Sequence, residues 1–314
     1  MNIPSYNNIF NVNVMGNIKD IAGHDSVLQD VLLSKFTTFR IGGVCKCLVI
    51  IKRIENLIKL LNFLNDNQLS YKILGNGSNL LIDDMGIQKE VVIKISIQDI
   101  NLSDDTIKCS SGVTLPYLAS LAFKNSLSGL EFGCGIPASI GGAVIMNAGA
   151  YGRCMADCIV QSEIIDERGN IKILNAKSHE FGYRYSIFHR TPNIIIVSST
   201  LKLNLKDGRD CEEIGEVMNL YKNKRRLTQP YEFPSAGSIF RHPKNHLAGK
   251  LIEDCNLKGY KIGGAQISKK HAGFIINTGD ATCKNVLDLI EFVKNTVLKE
   301  YGIELKEEIK YWNF

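Results

Sequence analysis

Two glycine tracts carry the most visible chemistry in this 314-residue sequence. The first, Leu74-Gly75-Asn76-Gly77-Ser78-Asn79-Leu80-Leu81, follows a short strand-like run directly. Its alternating small residues let backbone N–H groups turn inward as a nest for an anion such as a diphosphate. A tight turn whose glycines only supply positive φ is the other reading of the same residues. The second tract runs from Gly133-Cys134-Gly135-Ile136-Pro137-Ala138-Ser139-Ile140-Gly141-Gly142-Ala143 through Asn147-Ala148-Gly149-Ala150-Tyr151-Gly152, almost free of large or charged side chains. Close approach of a flat, multi-part ligand accounts for that depletion, and a seam of small-residue packing is the alternative.

Three tempting motifs fail on inspection. Gly133, Gly135 and Ala138 fit the dinucleotide pattern G-x-G-x-x-A, but Pro137 lies inside it and no clean strand leads into it. No G-x-x-x-x-G-K-[ST] occurs, so the nucleoside-triphosphate cradle is absent. His242 and His246 have ligand-like spacing, yet Pro243 separates them and neither an H-E-x-x-H glutamate nor a third ligand is evident, so no metal site is expected.

The elements that must position these tracts alternate between strand and helix. A strand at Cys47–Ile51 precedes a helical face of Ile54, Leu57, Ile58, Leu61 and Leu64, and a strand at Tyr71–Leu74 leads into the first glycine tract. Thr114–Ser126 reads as a second helix with Pro116 in its first turn and Gly129 as a stop. Ile159–Asp166, Ile171–Asn175 and Ile194–Leu203 read as strands, the first two joined by the turn Glu167-Arg168-Gly169-Asn170. Past the polar break Leu205-Lys206-Asp207-Gly208, a charged helix spans about 211–226, and a final helix carries Val286, Leu289, Ile290, Val293 and Val297 before Gly302. Residues 1 to about 30 are Asn-rich and without motif, a leader or short helix packed on the body.

Composition narrows the function classes. With 45% hydrophobic and 22% charged residues the chain is a packed protein able to bury a core without staples. The net charge of +5 is too small for a nucleic-acid coat and suits a small anionic ligand. Nine cysteines without a CxxC pair, after a polar start lacking a secretory leader, read as reduced cytoplasmic thiols. No apolar run approaches the roughly 20 residues that span a bilayer.

The glycine tracts, taken with Thr37-Thr38-Phe39-Arg40-Ile41-Gly42-Gly43, resemble the FAD half of the UDP-N-acetylenolpyruvoylglucosamine reductase (MurB) family. Later blocks match in the same order: Tyr183-Arg184-Tyr185-Ser186, Pro234-Ser235-Ala236-Gly237-Ser238-Ile239-Phe240-Arg241-His242-Pro243, Ala248–Glu253, Leu257-Lys258-Gly259 and Leu305–Ile309. The resemblance spans about residues 31–312. It implies an α+β chain: a PCMH-type FAD-binding fold of two subdomains, about 31–97 and 98–207, then an α+β substrate-binding domain at 208–314, with 1–30 as leader. It implies non-covalent FAD, NADPH as co-substrate, and reduction of an enolpyruvyl ether of UDP-N-acetylglucosamine to UDP-N-acetylmuramate. The chain is then expected to be a cytoplasmic monomer acting on a nucleotide sugar, with no nucleic-acid partner and no membrane insertion.

The resemblance also assigns roles. Arg184 would grip the substrate carboxylate, Ser238 would give the proton, and Glu308 would polarise the substrate or deliver a proton from the opposite side. The cofactor would lie on Gly75, Asn76, Gly77, Ser78 and Asn79, on Gly135, Ile136, Pro137, Ala138, Ser139, Gly141 and Gly142, and on Asn147, Ala148 and Gly149. Tyr183 and the basic residues Lys222, Arg225 and Arg226 would hold the substrate, the short distance from Arg184 to Ser238 marking the compact subtype without a tyrosine-bearing lid. Lys306-Glu307 stands where the family often has Glu-Pro, and Lys310 where it often has Arg. Two other readings keep the flavin: an oxidase of the same superfamily, whose reduced flavin would react rapidly with oxygen, and a flavin-binding regulatory protein without turnover.

Overall fold

The computed structural model describes residues 9–166, 169–206 and 210–313. Among the described residues of the leader, the α-helix α1 (Val12–Ala22) packs Met15 and Ile18 against the body. Beyond it a four-stranded sheet runs in the order Val27–Leu32, Val44–Ile51, Ile87–Ile95, Tyr71–Leu74. Its first pairing is antiparallel and the other two are parallel. Parallel neighbours need a crossover, and α2 (Ile54–Asp66) supplies one. Its Leu57, Leu60, Leu61 and Leu64 cover Cys47, Val49, Ile51, Val91 and Ile93 on one sheet face. The other face buries Leu48, Leu74 and Val92, so the central strands are apolar on both sides.

A second, five-stranded sheet is antiparallel throughout, in the order Ile171–Asn175, Ile159–Ile165, Ile195–Lys202, Thr106–Ser110, Ile100–Ser103. One face buries Ile107, Ile164, Ile196 and Leu201 under α3 (Leu115–Lys124) and α4 (Ile140–Ile145). From the other face Ile165, Ile195 and Val197 enter the α2-covered core, which joins the two sheets. The helix α5 (Asp210–Thr228) packs Ile214 and Met218 into the second sheet's core, although it lies beyond the break that the sequence suggests as a boundary. The turn at Glu167-Arg168-Gly169-Asn170 and the break at Leu205-Lys206-Asp207-Gly208 fall partly outside the described residues.

A third sheet runs in the order Ser235–Ser238, Phe274–Asn277, Ala265–Ile267, Lys261–Ile262. The helices α6 (Ala248–Asp254) and α7 (Cys283–Tyr301) cover it, with Val286, Leu289, Ile290, Val293 and Val297 buried at helical spacing. Thr282 and Asn285 cap the start of α7 reciprocally, and Gly302 ends it at φ +67°. Phe39 and Ile41, from the early Thr37–Gly43 block, belong to this third core. The final strand Lys310–Trp312 then crosses back and pairs in parallel with Leu80–Ile82, at the end of the first glycine tract. Among the described residues no helix is long and apolar enough to cross a membrane.

Candidate active site

A cavity of about 820 Å³ opens between the first two sheets, within the size range of small-molecule sites. One wall is the whole loop Gly75, Asn76, Gly77, Ser78 and Asn79, and the facing wall holds Ser111, Ala138, Ser139, Gly141 and Gly142. The loop is tied from both sides. Lys94 Nζ donates to the Gly75 carbonyl at 2.8 Å, and Asn76 Nδ2 donates to the Pro137 carbonyl at 2.6 Å. Gly77 has φ +60°, and a Cβ there would stand 2.3 Å from the Phe36 carbonyl oxygen, so the protein's own backbone excludes a side chain. A Cβ on Gly75 would stand 2.5 Å from Ser139 Oγ, a group that can rotate.

Gly135, Ile136, Pro137, Asn147, Ala148 and Gly149 do not line this cavity. Ile136 and Ala148 pack against the second core. Asn147 is a staple, donating Nδ2 to the Gly182 carbonyl and accepting from the Ala156 N–H, both at 2.9 Å. Gly149 offers its carbonyl to Arg184 Nη2 at 2.9 Å. This part of the second tract therefore positions the arginine.

Arg184 adopts φ +52°, a conformation unusual for a side chain of its size. Its Nε meets Glu308 Oε1 at 2.9 Å, with the two side chains only 24% and 16% exposed. Burial is the largest influence on Glu308 and pushes its carboxyl above the usual carboxylate range; Arg184, Arg241 and Lys310 pull the other way. Ser238 ends its strand with Oγ donating to the Phe240 carbonyl at 3.2 Å. One residue further, the Ile239 carbonyl accepts from the Glu308 N–H at 2.7 Å. Asn79 Nδ2 donates to the Glu308 carbonyl at 3.2 Å, and the Lys310 N–H donates to the Asn79 carbonyl at 2.9 Å. These links set Ser238 and Glu308 on adjoining segments at the end of the glycine loop, and the ion pair brings Arg184 to them.

The remaining assignments scatter. Exposed Tyr183 accepts from the His242 N–H at 3.4 Å and lies under the Arg184 guanidinium at 5.3 Å. Arg225 Nε donates to the Tyr231 hydroxyl at 2.9 Å, and a Cβ on Gly135 would stand 2.7 Å from Arg225 Cδ. Lys222 and Arg226 are exposed on the same helix. Tyr151 stacks on Tyr221 at 3.9 Å and donates its hydroxyl to that residue's carbonyl. His242 Nδ1 accepts from the Ala248 N–H, while His246 is exposed. All nine cysteines are free, and burial pushes the Cys47, Cys109, Cys158 and Cys283 thiols up to about 12. Sequence reasoning missed Lys94 and Ser111. A lone lysine in the apolar run Val91-Val92-Ile93-Lys94-Ile95 was the available signal for the first; a serine pair at a strand end is no signal for the second.

Comparison with known proteins joins the two halves of this site. The sequence model described as FAD binding domain matches residues 45–175, which include the loop and its facing wall. The model of the UDP-N-acetylenolpyruvoylglucosamine reductase C-terminal domain matches residues 229–312, which include Ser238 and Glu308. The UDP-N-acetylenolpyruvoylglucosamine reductase of Caldanaerobacter subterraneus is 41% identical over 93% of this chain and 96% of its own length. The protein of the same name from Clostridium botulinum (strain Okra) is 41% identical over 95% and 96%. The crystal structure of the Thermus caldophilus reductase superposes with a TM-score of 0.78 at 36% identity, covering 90% of this chain and 98% of that one. With the glycine cradle inside one matched model, Ser238 and Glu308 inside the other, and relatives 41% identical over 93% and 95% of its length, the chain belongs to the UDP-N-acetylenolpyruvoylglucosamine reductase family.

Proposed function

We propose that this chain reduces UDP-N-acetyl-3-O-(1-carboxyvinyl)glucosamine to UDP-N-acetylmuramate in peptidoglycan precursor synthesis, with NADPH as reductant. The observation that carries this reading is the half-buried Arg184–Glu308 pair, joined through backbone to both the Ser238 segment and the glycine loop. The cavity residues fit FAD: the Phe36 backbone leaves Gly77 no room for a side chain, one on Gly75 would meet the Ser139 hydroxyl and one on Gly141 would crowd Ser111, and the space runs between the sheets past polar Ser139 and Asn79. Held by these residues, FAD would supply the hydride chemistry between NADPH and the β-carbon of the enolpyruvyl group.

The chain's own groups handle the charge and the proton. Hydride addition leaves negative charge spread toward the substrate carboxylate, and the planar Arg184 guanidinium, braced by the Gly149 carbonyl, provides donors for it. Preorganised donors of this kind act where charge develops, without reorganising during the reaction. Ser238 is the proposed proton donor to the α-carbon, its hydroxyl already hydrogen-bonding at the strand end. Glu308, which burial inclines to keep its proton, would polarise the substrate from the other side. Tyr183, Lys222, Arg225 and Arg226 are assigned to the nucleotide sugar, and the unit boundaries to about 31–97, 98–207 and 208–314. The same reading has the chain working as a cytoplasmic monomer on small molecules alone, which sedimentation of the pure protein checks.

The test is direct. The purified protein should carry a flavin spectrum and consume NADPH only when the enolpyruvyl nucleotide sugar is added. Rapid NADPH consumption with oxygen alone would favour a flavin oxidase, and no consumption under either condition would favour a binding protein.

A further inference from the structure

Thr38 holds both halves of the site without lining the cavity itself. Its N–H donates to the Gly77 carbonyl of the glycine loop at 3.2 Å, and its hydroxyl donates to the Ser235 carbonyl at 2.8 Å. Ser235 opens the strand that ends at Ser238. One half-buried residue therefore ties the cofactor loop to the strand whose last hydroxyl is assigned to proton transfer.

The sheet alone leaves the aim of that strand open. Ser235 pairs with Ile276 and Ser238 with Phe274, so three steps on one strand face two on its neighbour, and Gly237 takes φ +79°. A bulge of this kind bends its strand and re-aims the side chains beside it. The Thr38 hydroxyl bonds the residue at which the bulge begins. Thr38 is in turn held on both sides. Phe39 and Ile41 are buried in the third core, and Asn277 Nδ2 donates to the Phe39 carbonyl at 3.2 Å while its Oδ1 accepts from the Gly279 and Ala281 N–H groups at 2.9 and 3.1 Å. On the other side, a Cβ on Gly77 would stand 2.9 Å from Thr37 Cα, so the segment lies directly against the glycine loop.

We propose that Thr38 is a positioning residue whose hydroxyl sets the Ser238 strand against the cofactor loop for the proton step. The proposal rests on the reading of Ser238 above, and its test keeps the two apart. Thr38→Val keeps the shape and the backbone N–H but removes the hydroxyl, whereas Thr38→Ser keeps the hydroxyl without the methyl group. Each full-length variant is titrated with FAD, melted, and mixed anaerobically in the two half-reactions. Thr38→Val should bind FAD and be reduced by NADPH within about twofold of wild type, yet be reoxidised by the enolpyruvyl nucleotide sugar about 10–10²-fold more slowly, the scale of a misplacement near 1 Å. Thr38→Ser should recover most of that rate. Because Thr38 acts through Ser238, adding Thr38→Val to Ser238→Ala should slow reoxidation no further.

Reoxidation of Thr38→Val at the wild-type rate, or no recovery in Thr38→Ser, would overturn the proposal. Failure of Thr38→Val to fold, or equal losses in FAD affinity, reduction and reoxidation, would also overturn it, showing a hydroxyl that serves the fold. Fully additive losses in the double variant would overturn it as well, since Thr38 would then act independently of Ser238. Ser238→Ala reoxidised at the wild-type rate would overturn the reading of Ser238, and this proposal with it.

Discussion

Arg184 Nε stands 2.9 Å from Glu308 Oε1, and the two residues reach each other from segments 124 positions apart. The arginine comes from a loop stapled to the second glycine tract, and the glutamate from the tail that returns to pair beside the first. The pair therefore reports whether three parts of the chain are correctly assembled. Despite the adjacent cation, Glu308 holds its proton more tightly than an ordinary carboxyl, because burial outweighs the attraction of Arg184, Arg241 and Lys310.

Arg184→Ala should lower kcat/KM for the enolpyruvyl substrate by about 10²–10³-fold, the usual cost of losing a preorganised donor. NADPH should still bleach the flavin in the absence of that substrate. Steady-state kinetics together with anaerobic flavin reduction separates the two effects; equal loss in both would point to a collapsed site.

Glu308 also sets a pH dependence of stability. Its folded pKa is raised, so its contribution is fully present below the unfolded carboxyl value and is lost as pH rises through the folded value. Glu308→Gln removes that loss. The Tm of Glu308→Gln relative to wild type should therefore climb as pH increases from below the ordinary carboxyl range to neutrality. A difference that stays flat or declines would contradict the direction of the shift.

At the glycine loop the two substitutions should differ. Gly77→Ala meets the Phe36 backbone and keeps a left-handed φ, a strain of about 1–3 kcal/mol, whereas Gly75→Ala meets only the rotatable Ser139 hydroxyl. Thermal melting should show the larger loss for Gly77→Ala. Equal melting temperatures would mean that the loop moves away at no cost.

Much of the architecture was legible because it rests on local period. The spacing of Leu57, Leu61 and Leu64 gave α2, and that of Val286 through Val297 gave α7, each buried as its repeat requires. The glycine loop was legible as a tight backbone, but the sequence could not tell which glycines face the cavity. Gly77 answers to Phe36 and Gly149 to Arg184, contacts between distant segments that no local pattern encodes. Phe39 and Ile41 read as part of the first unit and yet pack in the third core. The basic run showed its charge but not its partner: helix phase turns Arg225 toward Gly135 and Tyr231 while Lys222 and Arg226 stay exposed. Ser111 was invisible for a related reason, since an unpaired buried hydroxyl is defined only by what surrounds it.

The division of labour between hydride and proton is tested most directly by rapid mixing of Ser238→Ala in two anaerobic half-reactions. Reduction of its flavin by NADPH should proceed at the wild-type rate, while reoxidation by the enolpyruvyl nucleotide sugar should slow by about 10²–10⁴-fold, the range for losing a positioned proton donor. Reoxidation at the wild-type rate would contradict the account, because the α-carbon would then be taking its proton from elsewhere.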